Sequence, residues 1–288
     1  MTTKSASTRI GIIGAGSFIG DALGRRAEAS GHQVDRYTRE TFDATDPDAT
    51  LEPATDIVVF LAQDRNYTTL ETPALGVFAV NTVGVLNAAI QARAVGARGL
   101  IYTSTGNVYE PSFAPLIESH PLARSDIYST SKIFAEQILD LVPDDLAVVC
   151  PRLFGAYGPN QTIGLFASLT NRIRSGASVT LQSRPGGDPD GGFHASLTHV
   201  DDVAAGLLEL AEQLGVDELP PVMNLAAPEP VSIEQIARAI GAGIGVEPAI
   251  EQADSPRAFD LVADTTLMQS VLDTNFRPLE VGVSQSLA

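Results

Sequence analysis

Short apolar runs recur along the chain, separated by longer stretches whose apolar positions have helical spacing. The run Ile10–Ile13 predicts a first buried strand, followed by a glycine-rich turn and a helix over 21–30 that Gly31 closes. Further strands are predicted at Gln33–Thr38, Ile57–Ala62, Gly99–Ser104 and Leu146–Cys150. A long amphipathic helix is predicted over Pro73–Val95, closed by Gly96, and another over about Ser125–Leu141. Strands that alternate with helices through crossovers too long for hairpins predict a parallel sheet covered on both faces. The expected fold is therefore α/β, a doubly wound (Rossmann) parallel sheet.

After Arg152 the alternation loosens, and RPGGDPDGG (184–192) reads as a loop by composition. Val222–Leu225 looks like one more strand of the main sheet. These features predict a dinucleotide-binding domain over 1–160, to which 196–227 return. The segments 161–195 and 228–288 are expected to form a smaller, discontinuous substrate lobe.

The 288 residues are 44% hydrophobic and 18% charged, enough for a buried core, and no uninterrupted apolar stretch reaches the length of a membrane span. The opening MTTKSASTR is polar and reads as a frayed tail rather than a secretory signal or an anchor. Lys and Arg total 18 against 35 Asp and Glu, a formal charge of −17. That sign opposes nucleic acid and anionic membrane surfaces as partners. The single cysteine, Cys150, excludes an internal disulfide, fits a reducing cytoplasm and reads as a small buried hydrophobe.

Chemistry enters first at IGIIGAGSFIGDAL. Here Gly14, Gly16 and Gly20 stand where a strand meets a helix, with Ser17, Phe18 and Ile19 in the turn. Small residues there let the backbone approach a pyrophosphate, which the positive end of the helix dipole favours. The second strand ends on Thr38–Arg39 rather than on an acid that would pair with the free ribose hydroxyls of NAD. A guanidinium suits the extra phosphate of NADP, so NADP is slightly favoured over NAD; an exposed Arg that merely ends the strand fits the same residues.

In DIYSTSK, Tyr128 and Lys132 are four residues apart on a predicted helix, hence on one face. A phenol titrates near 10, and a neighbouring ammonium brings it toward working range; Lys132 can also donate to the nicotinamide ribose, and Ser104 and Tyr128 are expected beside the cofactor too. At the end of the fourth strand, IYTSTGNVY puts Ser104 and Thr105 at the carboxyl edge of the sheet, where ligands of doubly wound folds sit. A hydroxyl at that edge can hold a substrate oxygen. Four His, none spaced as a ligand pair, give a metal hydrolase little support, and no metal ligands are assigned.

These residues resemble the extended short-chain dehydrogenases/reductases, the NAD-dependent epimerase/dehydratase family. The resemblance runs through GAGSFIG, DIVVFLAQ, NTVGVLNAAIQA, TSTGNVY, YSTSK, PRLFGAYGP, THVDDVA, NLAAPEPVS and ADTTLMQSVLDTNFRP. It implies a sugar substrate, most often a nucleotide sugar, with Tyr128 and Lys132 as the acid/base pair and Thr105 as the catalytic hydroxyl. It also implies cofactor contacts from Gly14, Gly20, Asp43, Ala62 and Asn81, and a mainly architectural role for His199 and Asp202. Homodimerisation is implied through the helices holding Val77–Val95 and Ser125–Leu141.

Four departures narrow what the resemblance implies. Ser17 stands where the family has its middle glycine, with Gly16 displaced by one. Phe60 replaces a common His. Gly106–Asn107 follows Thr105 where dehydratases carry Asp-Glu, so elimination of water is not expected. Ala195 occupies the place of an Arg that holds the diphosphate in epimerases; Arg184, His194 or Arg257 could substitute, with Asn107 also near the substrate. The expected activity is hydride transfer at a sugar carbonyl carbon, as a 4-epimerase or a keto-sugar reductase. The rival reading is a non-catalytic NAD(P)-binding sensor or scaffold.

Overall fold

The computed structural model describes residues 7–64 and 72–287. Residues 1–6 of the expected frayed tail lie outside them, but the tail's far end is corrected. Arg9 opens the first strand and is paired with Asp35 at 2.7 Å.

The first half of the chain runs β1 (Arg9–Ile13), α1 (Phe18–Ala29), β2 (Gln33–Tyr37), β3 (Ile57–Phe60), α2 (Thr72–Ala79), a π-helical turn (Val80–Gly84), α3 (Val85–Ala94), β4 (Gly99–Tyr102), β5 (Ser104–Thr105), a 3-10 turn (Gly106–Val108) and α4 (Ile127–Leu139). The second half runs β6 (Ala147–Leu153), β7 (Ala156–Tyr157), α5 (Leu165–Arg174), β8 (Val179–Leu181), β9 (His194–Ala195), β10 (Thr198–His199), α6 (Val200–Gln213), β11 (Val222–Leu225), β12 (Val231–Ser232), α7 (Ile233–Ile244), β13 (Ile250–Gln252), α8 (Thr266–Val271) and α9 (Leu279–Leu287).

The main sheet is parallel throughout, in the order β11-β6-β4-β3-β1-β2, with β5 beside β6. One face is covered by α1, α6 and α8 through Leu23, Val203, Leu207 and Met268. The other is covered by α3 and α4 through Val85, Ala88, Ala135 and Leu139. Strands buried on both faces are apolar at successive positions, which is why the four residues of β3 and of β4 are all buried. Phe60, the departure in β3, is a core residue packed 5.9 Å from the Tyr102 ring. A further apolar cluster joins α5, β8, α7 and α9 through Phe166, Leu181, Ile236 and Val283.

The single long helix expected over 73–95 is interrupted. Its middle is the π-turn, where the wider turn shifts the face that Asn81 presents. The stretch Ala74–Ala94, with mean hydropathy 1.5, has the length and composition of a membrane span. In the fold it is the crossover between β3 and β4, with Val77, Val85, Ala88 and Ala92 fully buried. Cys150 is a free, buried thiol, as expected.

Candidate active site

Because the sheet is parallel, the carboxyl ends of β1, β2, β3 and β4 share one edge, and hydrogen bonds hold their exits together. The Gly14 and Ala15 amides donate to Tyr37 O (2.9 and 3.0 Å), Leu61 N–H to Ile13 O (2.7 Å), and the Thr103 hydroxyl to Phe60 O (3.0 Å). Gly14 has φ +92°, and a Cβ on it would stand 2.6 Å from the Ala62 amide nitrogen. The turn can pass β3 only as glycine. Ser17 caps α1, its hydroxyl accepting from Gly20 N–H at 3.1 Å. Gly20 packs against the Gly14 carbonyl and is buried.

Gly16 differs from both. The nearest atom to a Cβ there is Thr38 Cγ2 at 4.0 Å, so no protein group demands glycine, and its open side faces a cleft of about 580 Å³. Gly14, Ser17, Thr38, Arg39, Asp43 and Ala62 also line that cleft, whereas Phe18 and Ile19 pack against the main core. A cleft of this size, floored by small residues at a helix N-terminus, fits the phosphate and adenosine end of a dinucleotide. Asp43 takes the Thr45 amide (3.0 Å) and hydroxyl (2.8 Å), bonds that hold its carboxyl below the usual range. Arg39 is 87% exposed, with its nearest carboxylate, Asp43, at 3.9 Å.

The proposed chemical groups meet at the same edge. Asp126 caps α4, accepting from Ser129 N–H at 2.7 Å, and sets the first turn that carries Tyr128. Lys132 is 3% exposed; its ammonium donates to Thr103 O (2.8 Å) and lies 4.7 Å from the Tyr102 ring centre and 5.8 Å from that of Tyr128. Thr105 is buried beside α4, its hydroxyl oxygen accepting from Asn107 N–H at 3.2 Å. Asn81 Nδ2 donates to Ser131 Oγ (2.9 Å), which donates to Tyr128 O (2.8 Å), so the π-turn is tied to the Tyr128 turn. The structure therefore brings Thr105, Tyr128, Lys132, Asn81 and Ser104 together, and leaves the Asn107 side chain exposed. Asn81 Oδ1 and Ser104 Oγ are buried polar atoms without a hydrogen-bond partner among the described residues.

Burial pushes the Lys132 ammonium down to about 7, and the Glu136 carboxylate one turn further along α4 opposes the shift. Glu136 is itself buried against Arg152, with bonds of 2.6 and 3.0 Å, and the Arg152 guanidinium lies 4.8 Å over the Tyr109 ring. The sequence reading passed over this pair. The i+4 step from Lys132 to Glu136 was the available signal.

The three suggested substitutes for the missing Arg converge on one carboxylate, Asp260. His194 N–H donates to it (2.9 Å), as do Arg184 Nη2 (2.8 Å) and Arg257 Nε (2.7 Å). Arg184 and Arg257 both lie over the Phe113 ring, on the chain that leaves Thr105. Asp202 receives Arg277 Nε at 3.0 Å, which ties α6 to the C-terminal segment, and His199 caps α6 through Asp201 N–H.

A doubly wound sheet with a glycine turn on its first strand defines a dinucleotide-binding protein of the Rossmann class. Residues 10–226 match the NAD dependent epimerase/dehydratase family, and the chain belongs to it. It is 28% identical over 214 residues to a dTDP-4-dehydrorhamnose reductase of Mycobacterium tuberculosis. That match covers 72% of this chain and 66% of the reductase, just under two thirds of its length. The structure resembles UDP-glucose 4-epimerase of Thermus thermophilus in complex with NAD, with TM-score 0.77, 23% identity and 97% and 98% of the two chains covered. It also resembles an NAD-dependent NDP-hexosamine 5,6-dehydratase of tunicamycin biosynthesis, with TM-score 0.77, 21% identity and 98% and 97% covered. At these identities the structural likenesses establish the fold, and the fold is shared by a dehydratase as well as an epimerase.

Proposed function

We propose that the protein transfers a hydride to or from the carbonyl carbon of a sugar, carried as a nucleotide sugar, with Tyr128 as proton donor and acceptor. The observation that carries this reading is the grouping of Tyr128, Lys132 and Thr105 at the strand edge that also forms the glycine-lined cleft. A bound nicotinamide supplies or accepts the hydride. Tyr128 moves the hydroxyl proton of the reacting carbon, the Lys132 ammonium stabilises the phenolate that remains, and Thr105 directs its O–H at the substrate oxygen. Gly106 and Asn107 beside Thr105 supply no carboxyl group, which supports hydride transfer without elimination of water. The cluster of α5, β8, α7 and α9, within 161–195 and 228–288, is our substrate lobe.

A sensor or scaffold has no use for a buried ammonium beside a phenol, so catalysis is the better reading. Epimerisation and reduction differ in the fate of the hydride. An epimerase returns it to the same sugar, so protein denatured after purification is expected to release NAD. A reductase consumes NADPH, emerges empty, and leaves deuterium from 4-deuterated NADPH in its product. Failure to bind either cofactor would remove the proposal altogether.

The apolar outer face of α3 and α4 supports a homodimer. Val83, Leu86 and Ile90 are 54, 45 and 54% exposed, and Phe78 and Phe134 pack edge-on beside them with ring centres 6.0 Å apart. Leu86→Glu is expected to convert a dimer in sedimentation into a monomer; a wild type that sediments as a monomer disproves the assignment.

A further inference from the structure

Arg257 is 4% exposed, and all of its N–H groups are engaged. Nε and Nη2 meet Asp260 (2.7 and 3.2 Å), Nη1 and Nη2 meet Asp190 (2.7 and 2.6 Å), and Nη1 also meets Gln182 O at 2.9 Å. The two carboxylates are held differently. Asp260 is 1% exposed and also receives His194 backbone N–H (2.9 Å) and Arg184 Nη2 (2.8 Å), so it is fixed from several sides. Asp190 is 29% exposed, in a loop followed by Gly191 and Gly192 at φ +86° and +85°. Arg257 meanwhile lines a cleft of about 640 Å³ with Gln182, Phe193 and Phe259.

A planar guanidinium fork binds a carboxylate and a phosphate through the same two parallel bonds. Asp190 occupies the fork that a phosphate would use. With Asp190 present, Arg184 and Arg257 are balanced by two carboxylates; without it, one positive charge of the cluster is left uncompensated.

We propose that Asp190 is a specificity-determining residue, a resident carboxylate that competes with phosphate groups of the substrate for Arg257. The inference rests on the nucleotide-sugar reading above and specifies how its diphosphate is admitted. Ala195, at the position expected to supply an Arg, leaves Arg257 as the buried cation of this cleft, which makes the competition decisive.

The test is calorimetric titration of wild type, Asp190→Asn and Asp190→Ser with inorganic pyrophosphate, UDP and dTDP. The Asn variant keeps the side chain's shape and one acceptor; Ser serves if Asn perturbs the loop. Both are expected to bind pyrophosphate about tenfold or more tightly than wild type, since a charged competitor is gone. Adding Arg257→Gln is expected to erase that gain. Equal or weaker binding by the Asp190 variants overturns the proposal. If UDP and dTDP bind wild type and variants alike, the inference fails and the nucleotide-sugar reading stands. If pyrophosphate binds the variants more tightly but UDP and dTDP bind no better than pyrophosphate does, the inference stands and the nucleotide reading fails.

Discussion

Tyr128→Phe is expected to lower kcat by about 10²- to 10⁴-fold, the usual contribution of a positioned acid or base. Cofactor affinity should change little. The substitution removes one oxygen from a half-buried ring and leaves the turn of α4 intact, because Asp126 caps it through Ser129 N–H and Ser131 holds its carbonyl. The cleft lined by Gly14, Gly16 and Ser17 takes its walls from the ends of β1, β2 and β3 and from Gly76, Ala79 and Val80, and no residue of α4 lines it. Fluorescence titration with NADH or NADPH, run beside turnover of keto and hydroxy sugars, separates the two effects. Turnover equal to wild type would mean that another group moves the proton. Loss of both turnover and cofactor binding would mean that the phenol is structural.

Much of this site could be read before the fold was known, because its signals are local. A four-residue step places Tyr128 and Lys132 on one helix face whatever surrounds them, and glycines between a strand and a helix announce the turn. The central strands β3 and β4 were equally legible, since burial on both faces leaves an unbroken apolar run. What escaped depends on partners distant in sequence. The expected fifth strand stops at Cys150, whereas β6 continues through Pro151 and Arg152. Proline is tolerated because pairing with β4 ends at Val149 and pairing with β5 begins at Arg152, so Pro151 has no bond to give on that side. The π-turn at Asn81 leaves no mark in a 3.6-residue pattern. Arg257 stands in the sequence only as a candidate substitute for the missing Arg, because nothing in a glycine- and proline-rich loop signals that Asp190, 67 residues away, would meet it.

Lys132 is expected to titrate near neutrality, and the composition makes this directly measurable. Lys4 and Lys132 are the only lysines in the chain, so protein labelled with ¹³C-lysine gives two side-chain signals, and Lys4→Arg assigns them. The Lys132 signal should move with a midpoint of about 7 in the cofactor-free protein, against a reference value of 10.5. The main cause is burial, which penalises the ammonium; Glu136 opposes it, and removing that charge with Glu136→Gln should depress the midpoint further. The sign for stability follows from proton binding. Between about 7 and 10.5 the unfolded chain holds a proton that the native protein has released, so stability from this group rises with pH across that window. It is fully present above 10.5 and lost as pH falls through about 7. Activity runs the other way, because only the ammonium eases ionisation of the Tyr128 phenol, and kcat/KM should decline as pH rises through the Lys132 midpoint. Two lysine signals that both titrate near 10.5 would refute the desolvated ammonium and the predicted fall in kcat/KM near neutrality, and would leave a permanent positive charge beside the Tyr128 phenol.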